Sequence, residues 1–291
     1  MERNQDTPLP QHRSHSRNWR ENLYVYPVMS RRSRGLSIGI NLNPDMACNF
    51  DCVYCQVDRT VEPKVRHVDL DVLRAELDDM IALSTSGELW QEQQFRDVPD
   101  SHRRLNDIAF SGDGEPTTCT QFLECVELVS VCKRAVKLDE VKIVLITDAC
   151  YLTRRNVVAG LVVMDNNNGE IWAKLDAGTQ DYYRKVNRPN YPLRHVVDNI
   201  IDAAMERPVV IQSLFMRLDG DPPSRREISE YVSRLSEIAE AGGEIDRVQI
   251  YTIARRPAES FATPLSRDEL EAISQRTQQG GFKTETYEGA G

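Results

Sequence analysis

Three cysteines stand within eight residues, in the run Cys48-Asn-Phe-Asp-Cys52-Val-Tyr-Cys55. A gap of three residues and then of two can bring three thiolates around one iron–sulfur cluster from a single compact loop. Such clusters are normally held by four thiolates, and the next cysteine, Cys119, is more than sixty residues on. A cluster with three protein ligands leaves one iron open to an outside molecule. The same cysteines have a plainer reading as a structural zinc module. Zinc in such a site takes four ligands, and no fourth is spaced for it.

Two further stretches carry chemistry-bearing types. Ser111, Gly112, Asp113, Gly114, Glu115 and Pro116 follow one another directly. The glycines let the backbone turn tightly and approach a ligand closely, and Glu115 is a carboxylate placed to receive an ammonium group. Lys174 and Asp176 are two apart, so on a strand they share one side and either grip a ligand bearing both charges or form a plain ion pair. The remaining cysteines read differently. Cys125 and Cys132 share an apolar helix face with Phe122 and Val129, which suits small buried hydrophobes. Cys119 and Cys150 fall near element ends, where exposure is open to them, and have no partners at ligand spacing. None of the five histidines falls in a metal-ligand pair.

These residues need a scaffold, and the hydrophobic pattern supplies one. Residues 36–42 read as a strand leading into the cysteine loop. Residues 69–83 read as a helix with Leu70, Leu73, Leu77, Met80 and Ile81 on one face. A polar stretch at 84–104, with Trp90 and Phe95 inside it, is either an ordered lid or an insertion. Strands at 108–110, 141–147, 171–175, 209–218 and 248–253 then alternate with helices at 119–132, from about Thr153, near 179–187, 193–206 and 225–240. Ser224 with Glu227, and Ser266 with Glu269, have capping-box spacing at two helix starts. This alternation predicts an α/β fold, a partial (β/α)6 barrel of parallel strands with outer helices. Functional residues then lie at the C-terminal strand ends. The expected division is an arm at 1–34, partly disordered, and one domain at 35–291 with its core at 36–253 and a helix–strand extension at 254–291.

Composition narrows the partners. The chain has 291 residues, 40% hydrophobic, with a net charge of -9, which argues against nucleic-acid binding over a whole face. No apolar run approaches a membrane span and the start lacks a secretory h-region. Seven cysteines, unevenly spread, do not resemble a disulfide framework, so a cytoplasmic location is expected. Arg31, Arg32 and Arg34 are a solvated tail or an anion or RNA contact at the mouth of the site. Arg255 and Arg256 follow the sixth strand and either meet a phosphate or carboxylate or are solvated. Asn187, Arg188, Pro189 and Tyr191 either cover the barrel mouth or simply stop a helix.

The cysteine loop, with an aromatic directly before its last cysteine, and the Gly112, Asp113, Gly114, Glu115, Pro116 segment together resemble the radical S-adenosylmethionine superfamily. The resemblance covers about residues 36–253. Within it, these two stretches and the Lys174, Asp176, Asn187, Arg188, Pro189 pattern look like the branch of the tRNA wyosine-synthesis enzymes and their uncharacterised bacterial relatives. The resemblance implies one 4Fe–4S cluster on Cys48, Cys52 and Cys55, with S-adenosylmethionine on the open iron. Reductive cleavage of S-adenosylmethionine would yield a 5′-deoxyadenosyl radical that abstracts hydrogen from a substrate. Tyr54 would lie near the adenine, and Gly112, Asp113, Gly114 and Glu115 would hold the methionine amino group. Thr147, Lys174 and Asp176 would meet the carboxylate and ribose. A flavodoxin or ferredoxin would supply electrons, and the substrate would be a small molecule, a nucleoside or tRNA, or a protein side chain. Wyosine enzymes carry three further cysteines upstream, and this chain has none before Cys48. They also need a Schiff-base lysine, for which Lys174 is the candidate.

Overall fold

The computed structural model describes Trp19 and residues 21–57, 67–255 and 257–289. The fold begins at β1 (Val25–Ser30), which turns and returns antiparallel as β2 (Gly35–Ile40). From β2 onward, strand and helix alternate: α1 (Leu70–Ser86), β3 (Leu105–Phe110), α2 (Phe122–Ala135), β4 (Lys142–Thr147), α3 (Arg155–Asp165), β5 (Gly169–Lys174). The chain continues through α4 (Gln180–Asn187), α5 (Leu193–Glu206), β6 (Val209–Leu214), β7 (Met216–Leu218), α6 (Arg225–Glu240), β8 (Ile245–Tyr251), β9 (Ala262–Pro264), α7 (Arg267–Gln279) and β10 (Thr284–Tyr287). The main sheet runs in the order β1-β2-β3-β4-β5-β6-β8-β10, parallel throughout except for the β1 edge.

The six strands expected from the sequence are β2, β3, β4, β5, β6 and β8, so the partial barrel stands. Alternation on β2 sends Leu36, Ile38 and Ile40 into the helix layer, where they are fully buried, and leaves Ser37 and Gly39 on the lumen side. On the lumen face of the next strands, Ala109, Val144, Trp172 and Val210 form a small separate cluster. Below it Glu170 meets Lys142, and Arg247 at 2.6 Å. Burial alone would raise the Glu170 carboxyl, but hydrogen bonds from Lys142 and Trp172 and the Arg247 charge hold it below its ordinary range.

Local signals explain the helices. The Asp69 side chain caps α1 by accepting from the Asp71 and Val72 amides, and Gly87 ends it at φ +85°. Ser266 and Glu269 form a complete capping box on α7. At α6 only half of one forms, because the Glu227 carboxylate turns away to accept from the Gly178 and Thr179 amides and the Thr179 hydroxyl. It thereby ties α6 to the loop after β5.

Three expectations change. The fold starts before residue 35, since β1 lies inside the stretch assigned to the arm; residues 1–18 and 20 lie outside the described residues. Strand 209–218 is two strands, β6 in the main sheet and β7 paired with β9 in a second one. The 84–104 stretch is no lid: it joins the end of α1 to the start of β3, at the opposite end of the strands from the cysteine loop. There Leu89, Trp90, Phe95 and Val98 are buried, and Phe95 packs between Trp19 and Trp90. Among the described residues, no helix is long and apolar enough to cross a membrane.

Candidate functional site

A cavity of about 370 Å³ opens at the C-terminal strand ends and runs into the barrel lumen. Cys48, Cys52 and Cys55 all line it, as do Tyr54, Gly112, Asp113, Gly114, Glu115, Thr147 and Lys174. Residues at or just beyond the C-terminal ends of four strands, β2, β3, β4 and β5, thus meet at one opening. A pocket of this size and position is where barrels of parallel strands bind ligands.

Backbone bonds tie the cysteine loop to its neighbours. Asp51 and Val53 donate their amides to the Asn187 and Val186 carbonyls at the end of α4. Glu259 and Ala258 donate to the Val53 and Cys55 carbonyls. The three thiols remain half-buried. Asn187 is fully buried and donates its side-chain amide to Cys52 Sγ at 3.3 Å and to Asp176 Oδ2 at 2.8 Å. Burial pushes the Cys52 thiol well up, and the Asp176 charge adds to this.

Gly112 and Gly114 are required by close approach. A Cβ on Gly112 would fall 2.3 Å from Asn41 Oδ1, and one on Gly114 would fall 2.1 Å from the Ala47 carbonyl. Asn41 binds this loop from both sides, donating to Asp113 Oδ2 and accepting from the Asp113 amide. The Glu115 amide donates to the Ala47 carbonyl, joining the loop to the cysteine segment.

Glu115 is 3% exposed and its carboxylate has donors of its own. Oε1 accepts from the Thr117 amide and hydroxyl and from the Thr147 hydroxyl at 2.7 Å, and Oε2 accepts from the Asp148 amide at 2.6 Å. Burial, then the neighbouring Asp148 charge, raises its carboxyl to about 8. The side chain therefore clamps the β3 and β4 ends together. Asp148 in turn accepts from the Asn49 side chain at 3.0 Å, one residue beyond Cys48. Nothing local marks Asp148 or Asn49 in the sequence, because their pairing spans strands.

Lys174 and Asp176 do share a side and form an ion pair at 3.4 Å. Asp176 also accepts from the Tyr54 hydroxyl and the Leu214 amide. Lys174 donates to the Tyr251 hydroxyl at 2.8 Å and lies 5.1 Å from the Tyr54 ring centroid. Burial alone would lower the Lys174 ammonium, but Asp176 and Tyr251 hold it above its ordinary value. A Schiff-base lysine needs the opposite environment.

The other candidates separate. Cys125 and Cys132 are buried in the core, as their helix face implies, and Cys119 is half-buried. Cys150 is 1% exposed, because its loop folds under α5 where Asn199 holds its carbonyl. His195 stacks on Tyr191 at 4.6 Å, and Tyr191 packs edge-on to Tyr151. Arg188 pairs with Glu259 and Asp51 on the surface beside the cysteine loop. Arg31, Arg32 and Arg255 line the cavity, while Arg256, His12 and His15 lie outside the described residues.

The donor set fits an iron–sulfur cluster. Three thiols on one loop face one cavity, and one of them receives a side-chain N–H, the kind of contact that tunes cluster sulfurs. Among the described residues, no three His, Cys, Asp or Glu side chains converge on a single metal ion. Ligands of a cluster bind separate irons and stand further apart.

No family model matches the chain. Over 253 residues it is 23% identical to the GTPase Obg of Brachyspira hyodysenteriae, covering 84% of this chain and 32% of that protein. Over 176 residues it is 26% identical to a UPF0026 protein of Methanocaldococcus jannaschii, covering 60% of this chain and 46% of that one. The chain thus spans less than half the length of either relative, and it contains no Gly-Lys pair of the kind a P-loop needs. In structure it is similar to a radical SAM methyltransferase from Sphaerobacter thermophilus, with a TM-score of 0.62 at 14% identity over 92% of this chain and 70% of that one. It is also similar to Streptococcus suis SuiB bound to S-adenosylmethionine, with a TM-score of 0.56 at 13% identity over 88% and 48%. The partial barrel with a three-cysteine loop after its first parallel strand is the radical S-adenosylmethionine fold, as the resemblance of the motifs implies.

Proposed function

We propose that the chain is a radical S-adenosylmethionine enzyme that holds one 4Fe–4S cluster on Cys48, Cys52 and Cys55. The observation that carries this reading is the meeting of those three thiols with the Gly112 and Gly114 loop in one cavity. When bound, such a cluster supplies the electron that cleaves S-adenosylmethionine to methionine and a 5′-deoxyadenosyl radical.

The chain's own part is positioning and exclusion of water. Gly112 and Gly114 bring backbone close to the methionine end, held in place by Asn41 and by the Glu115 clamp. Lys174 offers a fixed cation for a carboxylate, and Asp176 holds both Lys174 and the Tyr54 hydroxyl. Asn187 supports Cys52. Tyr54 and Tyr251 wall the cavity where an adenine would stack. A flavodoxin or ferredoxin would deliver the electron, in a cytoplasmic setting.

The test is anaerobic. Protein reconstituted with iron and sulfide is mixed with dithionite and S-adenosylmethionine, and 5′-deoxyadenosine is measured. The reading predicts nucleoside formation by the native chain and none by Cys52→Ala. Tightly bound zinc with no cleavage would overturn it in favour of a structural metal module.

A further inference from the structure

Cys119 and Cys125 meet outside the cavity, where the segment after Glu115 runs into α2. A short 3-10 turn, Pro116–Thr118, follows Glu115, and Cys119 closes it by donating its amide to the Pro116 carbonyl. The chain then folds back over the first turn of α2. The Cys119 carbonyl accepts from the Phe122 amide at 3.3 Å and from the Asn156 side chain of α3 at 3.3 Å. This seats Cys119 Sγ at the N-terminus of α2, where the Gln121 amide and the Cys125 thiol both donate to it. Cys132 and Cys150 instead hydrogen-bond to the Asp78 and Asp148 side chains.

The two thiols are unequal. Cys119 is half-buried beside exposed Thr120, while Cys125 is fully buried. The Cys125 hydrogen bond, helped by the Gln121 amide, outweighs burial and holds the Cys119 thiol below its ordinary value. The same bond, and then burial, pushes Cys125 up. A thiolate favoured at a helix N-terminus is the nucleophile in cysteine oxidation, and a thiol touching it is placed to resolve the product. Packing is the role of Cys125 in the reduced fold; contact with Cys119 gives it a second.

Oxidation at this pair would be felt at the site. Thr118 donates its amide and hydroxyl to the Glu115 carbonyl, at 3.0 and 2.7 Å, and accepts from the Asn43 side chain at 2.8 Å. Cys119 is the next residue. A covalent bond holds two sulfurs closer than a hydrogen bond does, so closing one shifts this segment and loosens the bonds that seat Glu115.

We propose that Cys119 and Cys125 form a redox-modification site for a hydroperoxide, and that their disulfide loosens the Glu115 segment. The Cys119 sulfur attacks one peroxide oxygen and the O–O bond breaks. The departing hydroxide takes the Cys119 proton and leaves as water, giving a sulfenic acid. The Cys125 sulfur then attacks Cys119 Sγ, and its proton leaves with the displaced hydroxide as a second water. Two thiols and one hydrogen peroxide thus give one disulfide and two waters, with two electrons passed to the peroxide. The modification is independent of the radical S-adenosylmethionine reading; only its consequence for seating the methionine end rests on that reading.

The experiment uses full-length, reconstituted protein treated with limiting hydrogen peroxide, alkylated and digested with trypsin. Residues 105–133 form one peptide holding Cys119, Cys125 and Cys132, and the three ligand candidates fall in another, 35–59. The native chain should give the first peptide two hydrogens lighter and alkylated at Cys132 alone, and dithiothreitol should reverse this. Cys119→Ser should form no disulfide. Cys125→Ala should stop at a Cys119 sulfenic acid that dimedone traps, so the test stands if one variant fails to fold. Hydrogen exchange reads the consequence. In the oxidised native chain the Thr117, Thr118 and Asp148 amides should exchange about tenfold faster. Dithiothreitol should restore their protection, which it would not do after simple cluster damage.

Alkylation of all three cysteines after peroxide would overturn the proposal, as would a Cys119→Ser chain oxidised as readily at Cys125. A disulfide that leaves those amides protected would overturn the link to the Glu115 segment. None of these readouts needs S-adenosylmethionine, so failure here leaves the proposed activity standing, and an inactive protein that forms the disulfide leaves the modification site standing.

Discussion

The side-chain amide of Asn187 lies 3.3 Å from Cys52 Sγ, carried there by the last turn of α4. The same amide reaches Asp176 at 2.8 Å, so one buried residue couples a metal-ligand candidate to the Lys174 and Tyr54 network. Arg188 follows in the left-handed region at φ +44°, which ends the helix and fixes the direction of Asn187.

Asn187→Leu keeps the branched shape and removes the amide's hydrogen bonds. Outer-shell partners of metal ligands are typically worth about 10- to 100-fold in affinity, and a loss of that size is expected here. Iron retention during chelator titration measures it. Retention equal to the native protein would show that the bond to Cys52 is incidental.

The seven cysteines divide into ligands and packing. Cys52→Ala should abolish the cluster's visible absorbance. Cys125→Ala should keep it and lower stability by about 1 kcal/mol, the ordinary cost of a small core truncation. Equal loss of absorbance in the two variants would mean that the ligands are misassigned.

Glu115 is a clamp before it is a ligand contact. In Glu115→Gln one face of the carboxylate becomes an NH2 group, which either opposes the Asp148 amide or gives up the three donors at Oε1. At a pH above about 8, where the carboxylate is ionised, the variant should lose about 1–3 kcal/mol, the cost of a buried group left unsatisfied, in denaturant unfolding without S-adenosylmethionine. Unchanged stability with weakened S-adenosylmethionine binding would give Glu115 a purely ligand-binding role.

Asp107 gives a stability prediction with a definite sign. Its carboxyl is raised to about 6 in the folded chain, chiefly by burial, against about 3.9 for an unfolded aspartate. The folded state binds the proton more tightly, so this group's contribution to stability is greatest below the unfolded value and is lost as pH rises through about 6. Asp107→Asn mimics the protonated form. It should be more stable than the native chain at pH 8, by up to about 3 kcal/mol for a shift of this size, and close to it at pH 4. Unfolding midpoints of both proteins across that range check it, and an advantage that grows toward low pH would contradict it.

How much of this could be read from the residues depends on what each signal spans. The six parallel strands were legible because each is an apolar run bounded by an amphipathic helix. The β1 strand was not, because Pro27 interrupts a short run next to a polar arm. Proline has no N–H to donate, and an edge strand tolerates it. The cysteine loop and the glycine segment were legible as local spacings. Lys174 and Asp176 were placed together by strand alternation alone. The partners of Glu115 were hidden, since they come from β4 and the loop after it. Arg32 reads as either a solvated tail or an anion or RNA contact at the mouth of the site, because nothing local shows that its turn faces Trp172 and Tyr251. Asn187 reads as a cover of the barrel mouth or a helix stop, and it does end α4; its burial against Cys52 depends on a contact across 135 residues.

The central claim is that three thiols hold a cluster with one iron open to an outside ligand. Electron paramagnetic resonance of the anaerobically reduced protein, with and without S-adenosylmethionine, tests this most directly. The account predicts the signal of a single 4Fe–4S cluster whose line shape changes when S-adenosylmethionine is added. A cluster signal that S-adenosylmethionine leaves untouched, or a colourless protein carrying zinc and giving no signal, would contradict it.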